Sequence, residues 1–154
     1  TGYPLKRLYD KLSALPTADV IVALDSCFSG AGGRSVLPTG ARPLVTHVDE
    51  ARGAAARLIV YSATASDEIT GTDPSQGHGL FTYYFLKGIN GAAEADGEVT
   101  VQGLFDYVQP SVEDAARRDN RDQSPQLMVP PNGERGLPIR KDAAPAALAA
   151  PAAG

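Results

Sequence analysis

The chain has one cysteine, one methionine and no tryptophan in 154 residues. A lone thiol excludes an internal disulfide and a paired-cysteine metal motif, and it fits a reducing compartment. Acids outnumber bases, 18 Asp and Glu against 14 Lys and Arg, for a formal net charge of -4. Without a basic stripe or aromatic–basic interleaving, nucleic acid is not an expected partner. The apolar runs are too short to cross a bilayer, so no membrane partner is expected either. No secretory signal is visible, and a cytoplasmic location is the expectation. Histidine is scarce too: the two present, His47 and His78, both follow Cys27.

What is present is a succession of short apolar segments. Leu5, Leu8, Tyr9 and Leu12 fall at i, i+3, i+4 and i+7 and predict an amphipathic helix, with Pro4 near its first turn and Pro16 closing it. Val20 to Leu24 and Leu58 to Ala63 are compact β-rich runs that predict buried strands. Residues 30 to 44 and Asp67 to Gly79 predict loops, and Ala-rich Glu50 to Arg57 predicts a helix. Leu80 to Ile89 predicts a helix with Phe81, Tyr84 and Phe85 on one face, followed by a turn from Gly91 to Gly97. Val101 to Arg118 predicts a long amphipathic helix with a bend at Pro110, and Gln126 to Val129 a third strand stopped by Pro130 and Pro131. The order implies an α/β fold with a largely parallel sheet and helical crossovers. Only three strands stand out, fewer than a parallel sheet buried on both faces normally has, so further strands are expected outside the chain. From Asp142 the sequence collapses to Ala, Pro and Gly. Residues 142–154 read as a flexible linker beyond a domain of residues 1–141.

The chemistry concentrates where the first strand ends, in Asp25-Ser26-Cys27-Phe28-Ser29-Gly30. A free cysteine is commonly a small core residue, with neighbouring Asp and Ser as turn or capping residues. At the C-terminal end of a strand in an open α/β sheet, however, a thiol stands at the usual ligand-binding edge. A thiolate there is a capable nucleophile, the small residues beyond it let a carbonyl approach, and the Cys27 N–H can bind a developing oxyanion.

This segment resembles the nucleophile motif of caspase-like cysteine peptidases in its metacaspase form. Tyr61-Ser62-Ala63-Thr64, Gly77-His78-Gly79-Leu80-Phe81-Thr82 and Gln123-Ser124-Pro125-Gln126 follow in the family's order, so the resemblance spans about residues 1 to 131. It implies the C-terminal part of a caspase-like three-layer α/β/α sandwich with a mostly parallel sheet. It implies a cysteine endopeptidase with Cys27 as nucleophile. In caspases the residue two before the cysteine is a glutamine of the S1 pocket; here it is Asp25, whose carboxylate favours a basic P1 residue. The expected substrate is a protein or peptide cut after Arg or Lys, with Ser62, Asp67 and Glu68 as further candidates for the S1 pocket.

Such chemistry needs a histidine to take and return a proton. In caspases it lies about 50 residues before the cysteine, which here is before residue 1. The histidine, and the glycine beside it that gives the second oxyanion donor, are therefore expected from an N-terminal part of the same domain. The chain is then a fragment, a processed subunit or an inactive homologue. His78 sits in a Gly-His-Gly resembling the family's histidine context, but it precedes a helix and is assigned a helix-start role; His47 is read as a solvated loop residue.

The stretch from Ala31 to Ala56 corresponds to the segment joining caspase subunits. Arg34, Arg42 and Arg52 within it are candidate autoprocessing sites, and equally read as ordinary loop arginines. Metacaspases often require calcium, but Gly32-Gly33-Arg34-Ser35 has no acid where one is expected, and Glu94-Ala95-Asp96-Gly97-Glu98 lacks EF-hand spacing. No metal site and no cofactor are expected. Two rivals remain: an inactive caspase-like interaction module, and a cysteine phosphatase. The phosphatase loop needs Cys-x5-Arg; Cys27 to Arg34 is Cys-x6-Arg.

Overall fold

The structure is a computed structural model that describes residues 3–25, 57–63, 72–73 and 78–141. It is a mixed α/β arrangement with small sheets. Helix α1 (Leu5–Ser13) leads to strand β1 (Val20–Leu24), and β2 is Leu58–Ser62. The two pair in parallel, Val20 opposite Leu58 and Leu24 opposite Ser62. The ladder runs one step further, with Ala63 N–H donating to the Leu24 carbonyl at 2.9 Å. Strand β6 (Gln126–Met128) completes a three-stranded sheet in the order β1-β2-β6.

Alternation along β2 sends successive side chains to opposite faces. Leu58 and Val60 pack with Val22 and with Tyr9 of α1. Ile59, Tyr61 and Ala63 join the larger core with the next two helices, α2 (Leu80–Lys87) and α3 (Val101–Arg118). Every residue of β2 is therefore buried, which is why the sequence there is continuously apolar. At about 25 cal/mol per Å² of apolar area, such two-sided burial is the largest stabilising contribution a short strand can make. Arg57 ties α1 to this layer: its guanidinium donates to the carbonyl of Thr17 at 2.8 Å and to that of Ser13 at 3.2 Å, an acceptor at the open end of the helix. Of the helix expected over Glu50 to Arg57, only Arg57 is described, and it is a turn residue performing this capping.

Helix α3 matches its expected span, with Pro110 inside it. Thr100 caps it by accepting from Gly103 N–H at 3.0 Å, and Arg117 and Arg118 occupy the last turn, where cations oppose the helix dipole. Helix α2 packs closely against α3 because Gly88 follows it: a Cβ there would stand 2.5 Å from Leu104 Cδ1. Beyond Lys87 the chain makes a π-helical turn over Gly88–Ala92, so the helix expected to reach Ile89 ends two residues earlier.

Three expectations are corrected. The sheet is mixed: β6 runs antiparallel to β2, pairing Val60 with Met128 and Ser62 with Gln126. The chain returns to β2 from α3 through a turn with Asn120 at φ 53, and a strand entered that way has no crossover to fix its direction. Second, β1 is not a buried strand. Ile21 is 37% exposed and Ala23 is exposed, because β1 is the edge of the described sheet. Third, four short strands were not expected. β3 (Thr72–Asp73) pairs with β4 (His78–Gly79) inside the expected polar loop. β5 (Glu98–Thr100) pairs antiparallel with β7 (Pro138–Lys141). The segment before β7 also supplies acceptors to the open N-terminus of α3: Val101 N–H reaches the Leu137 carbonyl at 2.9 Å, and Gln102 N–H the Arg135 carbonyl at 2.7 Å. The expected linker, residues 142–154, lies outside the described residues.

Among the described residues, no helix is long and apolar enough to cross a membrane.

Candidate functional site

Four segments that are distant in sequence meet at the C-terminal ends of β1 and β2. Asp25 directly follows β1, Ser62 closes β2 and Ala63 follows it. Gly79 and Thr82 open α2, and Gln123 precedes β6. The Gln123 side chain is 2% exposed, and its Nε2 donates to the Ala63 carbonyl at 3.1 Å, fixing the backbone just past β2. Tyr61 anchors the same strand from the core side. Its hydroxyl donates to the Val101 carbonyl at 2.9 Å, and its ring meets Phe85 edge-on with centroids 5.2 Å apart. Burial pushes the Tyr61 hydroxyl far above the usual tyrosine range, so the group is a fixed donor.

The most informative contact is made by Asp25. Helix α2 has Gly79 at its N-cap, so no side chain of its own can accept from the first-turn amides. Asp25 takes that role from across the fold. Its Oδ2 accepts from Thr82 N–H at 3.3 Å and, through a short contact, from the Thr82 hydroxyl. Gly79 makes the approach possible: a Cβ at that position would lie 2.5 Å from Asp25 Oδ2. Thus Gly79 leaves the room, Asp25 fills it, and Thr82 holds it. The carboxylate stays exposed, and no Lys or Arg among the described residues pairs with it. An exposed anion held at a strand end can receive a cationic group.

Of the other candidates, Ser62 is buried at 5% exposure. Alternation places it with Leu58 and Val60 on the α1 face, whereas Asp25 reaches α2 on the opposite face. His78 has a described backbone, paired with Asp73 in β4. Cys27 and its N–H, Arg34, Arg42, His47, Arg52, Asp67 and Glu68 lie outside the described residues. Among the described residues, no cluster of three or more His, Cys, Asp or Glu could hold a metal ion.

Thr82 was not singled out from the sequence, nor was Gln123 as an anchor. For Thr82 a signal existed: a helix that opens on Gly79-Leu80 lacks a capping side chain, so an acceptor must come from elsewhere. Comparison with known proteins gave no match: no family model, no curated protein and no solved structure matches this chain.

Proposed function

We infer that the chain is the nucleophile-bearing part of a caspase-like cysteine endopeptidase that cleaves protein or peptide substrates after Arg or Lys. Cys27 is the nucleophile, its N–H an oxyanion donor, and Asp25 the acid that receives the basic side chain. The observation that carries this reading is the place of Asp25: an exposed carboxylate at the end of β1, held against α2, two residues before the only thiol. The reading draws further support from the convergence of the quoted motif segments at one end of the sheet. It also draws on the helices that flank both faces of the sheet, as a three-layer sandwich has.

In this reading the general base comes from outside these residues. No histidine precedes Cys27, and Ile21 and Ala23 leave an edge of the sheet without a partner among the described residues, able to pair with a further strand. The test is an Arg/Lys fluorogenic peptide panel on the full-length protein, with and without calcium, beside its Cys27→Ala variant. Cleavage after basic residues that Cys27→Ala abolishes is the expected result; no cleavage, or cleavage indifferent to Cys27, sinks it. The 154 residues alone are expected to be inactive, and Cys27-dependent cleavage by them would bring His78 back as the base.

A second reading has one observation in its favour. Asp25 has a structural occupation as the cap of α2, which an inactive interaction module would retain without any substrate. Full-length protein that folds but neither cleaves nor binds basic peptides would favour that module.

A further inference from the structure

The Asp25 carboxylate is not free to meet a substrate with both oxygens. Oδ2 already accepts two hydrogen bonds, from the amide and the hydroxyl of Thr82, and it lies against the Cα of Gly79. A carboxylate oxygen offers two lone pairs, so Oδ2 is saturated. Oδ1 receives no hydrogen bond from any described residue, and the side chain is exposed. The two basic side chains differ in what they need. A guanidinium makes its strong contact as a planar fork with two parallel N–H bonds to the two oxygens of a carboxylate. An ammonium is a compact point charge and is satisfied by a single oxygen.

We propose that Thr82 is a positioning residue that locks Asp25 Oδ2 onto helix α2 and leaves Oδ1 alone to receive the substrate, so that Thr82 sets the balance between lysine and arginine at P1 in favour of lysine. The proposal rests on the reading of Asp25 as the pocket acid and adds to it which oxygen is used and which residue decides. The Thr82 hydroxyl does two things: it fixes the direction of the carboxylate, which serves either basic residue, and it blocks the second oxygen, which penalises only the fork. Removing it therefore weakens lysine binding without compensation, while arginine recovers part of the loss by engaging both oxygens.

The experiment measures calorimetric binding of two tripeptide amides, identical except for a terminal lysine or arginine, to the full-length protein and to Thr82→Val, Thr82→Ser and Asp25→Asn. Binding is measured in the Cys27→Ala background, where no thiol can attack the terminal amide, so the measurement does not depend on catalysis. From the size of a charge-assisted hydrogen bond, Thr82→Val should weaken the lysine peptide roughly tenfold and the arginine peptide by several-fold less, while Thr82→Ser stays within about twofold of wild type for both. Thermal unfolding of each variant is read alongside; should Thr82→Val fail to fold, Thr82→Ala carries the same expectation. Equal weakening of both peptides, or none, overturns the proposal, as does Asp25→Asn binding both as wild type does. Cleavage of matching fluorogenic peptides by the protein with Cys27 intact is followed in parallel. If binding changes as expected but nothing is cleaved, the endopeptidase reading fails and the assignment of Thr82 stands.

Discussion

Strands β1 and β2 lie side by side in parallel register, each of five residues, Val-Ile-Val-Ala-Leu against Leu-Ile-Val-Tyr-Ser. By composition they are nearly the same object. Yet every residue of β2 is buried, while in β1 only Val22 is, and Ile21 and Ala23 are exposed. The difference is one of neighbours. β2 has a strand on either side, α1 under one face and α2 with α3 over the other, so each side chain meets other apolar atoms. Among the described residues β1 has β2 on one side only, and its Ile21 and Ala23 face the side where the larger helical core covers Ile59 and Tyr61 instead. An apolar run thus states what a strand can bury, and the neighbouring elements decide what it does bury. The half-covered strand is also the one that carries Asp25, so beyond its pairing with β2 it is fastened to α2 by the contact of Asp25 with Thr82.

The contrast can be broken by cutting into each strand in turn. The largest effect belongs to Ile59→Ala, which opens a cavity between β2 and the helices and should destabilise by about 2–5 kcal/mol in urea unfolding. If Ile21→Ala costs as much, β1 is as covered as β2 and the contrast collapses. Next comes the fastening of β1. Gly79→Ala forces a methyl group against Asp25 Oδ2, and the overpacking plus loss of the Thr82 contact should cost about 1–3 kcal/mol. Recovery of that stability in Gly79→Ala/Asp25→Ala would show that the clash is with this carboxylate.

Tyr61→Phe sharpens the account of β2. It removes one buried hydrogen bond and leaves the Val101 carbonyl unpaired, an expected loss of about 1 kcal/mol. The same hydroxyl gives an alkaline signature. Its folded value is raised by burial, so below the unfolded tyrosine value, about 10, its contribution to stability is complete. As the pH rises beyond that value the unfolded chain releases the proton first, and stability falls. Wild type should therefore lose more stability than Tyr61→Phe between pH 9 and pH 11, on a scale of roughly 1 kcal/mol per pH unit once past the unfolded value. Identical alkaline slopes would show that the hydroxyl reaches solvent. The smallest effect is at the open strand: Ile21→Ser should change stability by no more than about 0.5–1 kcal/mol, measured by urea unfolding of the chain.

Much of the local structure was readable. Leu5, Leu8, Tyr9 and Leu12 on one helical face, the span of α3, and the position of β1 and β2 all follow from hydrophobic periodicity, which acts within a few residues. Strands β5 and β7 were not readable. One has three residues and the other opens on Pro138, and they exist as strands because each finds the other some 40 residues away. The site divides in the same way. Asp25 was legible as an acid at a strand end, whereas its attachment to Thr82, 57 positions later, was not. Nor was it legible that Ser62 lies on the face opposite Asp25, which depends on how far β2 stays regular.

By itself, the sequence determined the α/β class, the helices and the two parallel strands, because hydrophobic period and caps are local properties of the chain. It also determined that an acid, Asp25, stands at the end of β1. Tertiary structure alone decided that β6 runs antiparallel, that β2 is covered and β1 is not, and that the Asp25 carboxylate is committed by one oxygen to α2. Those outcomes depend on which surfaces meet across long stretches of chain, and steric room such as that left by Gly79 acquires meaning only when the two surfaces are in contact.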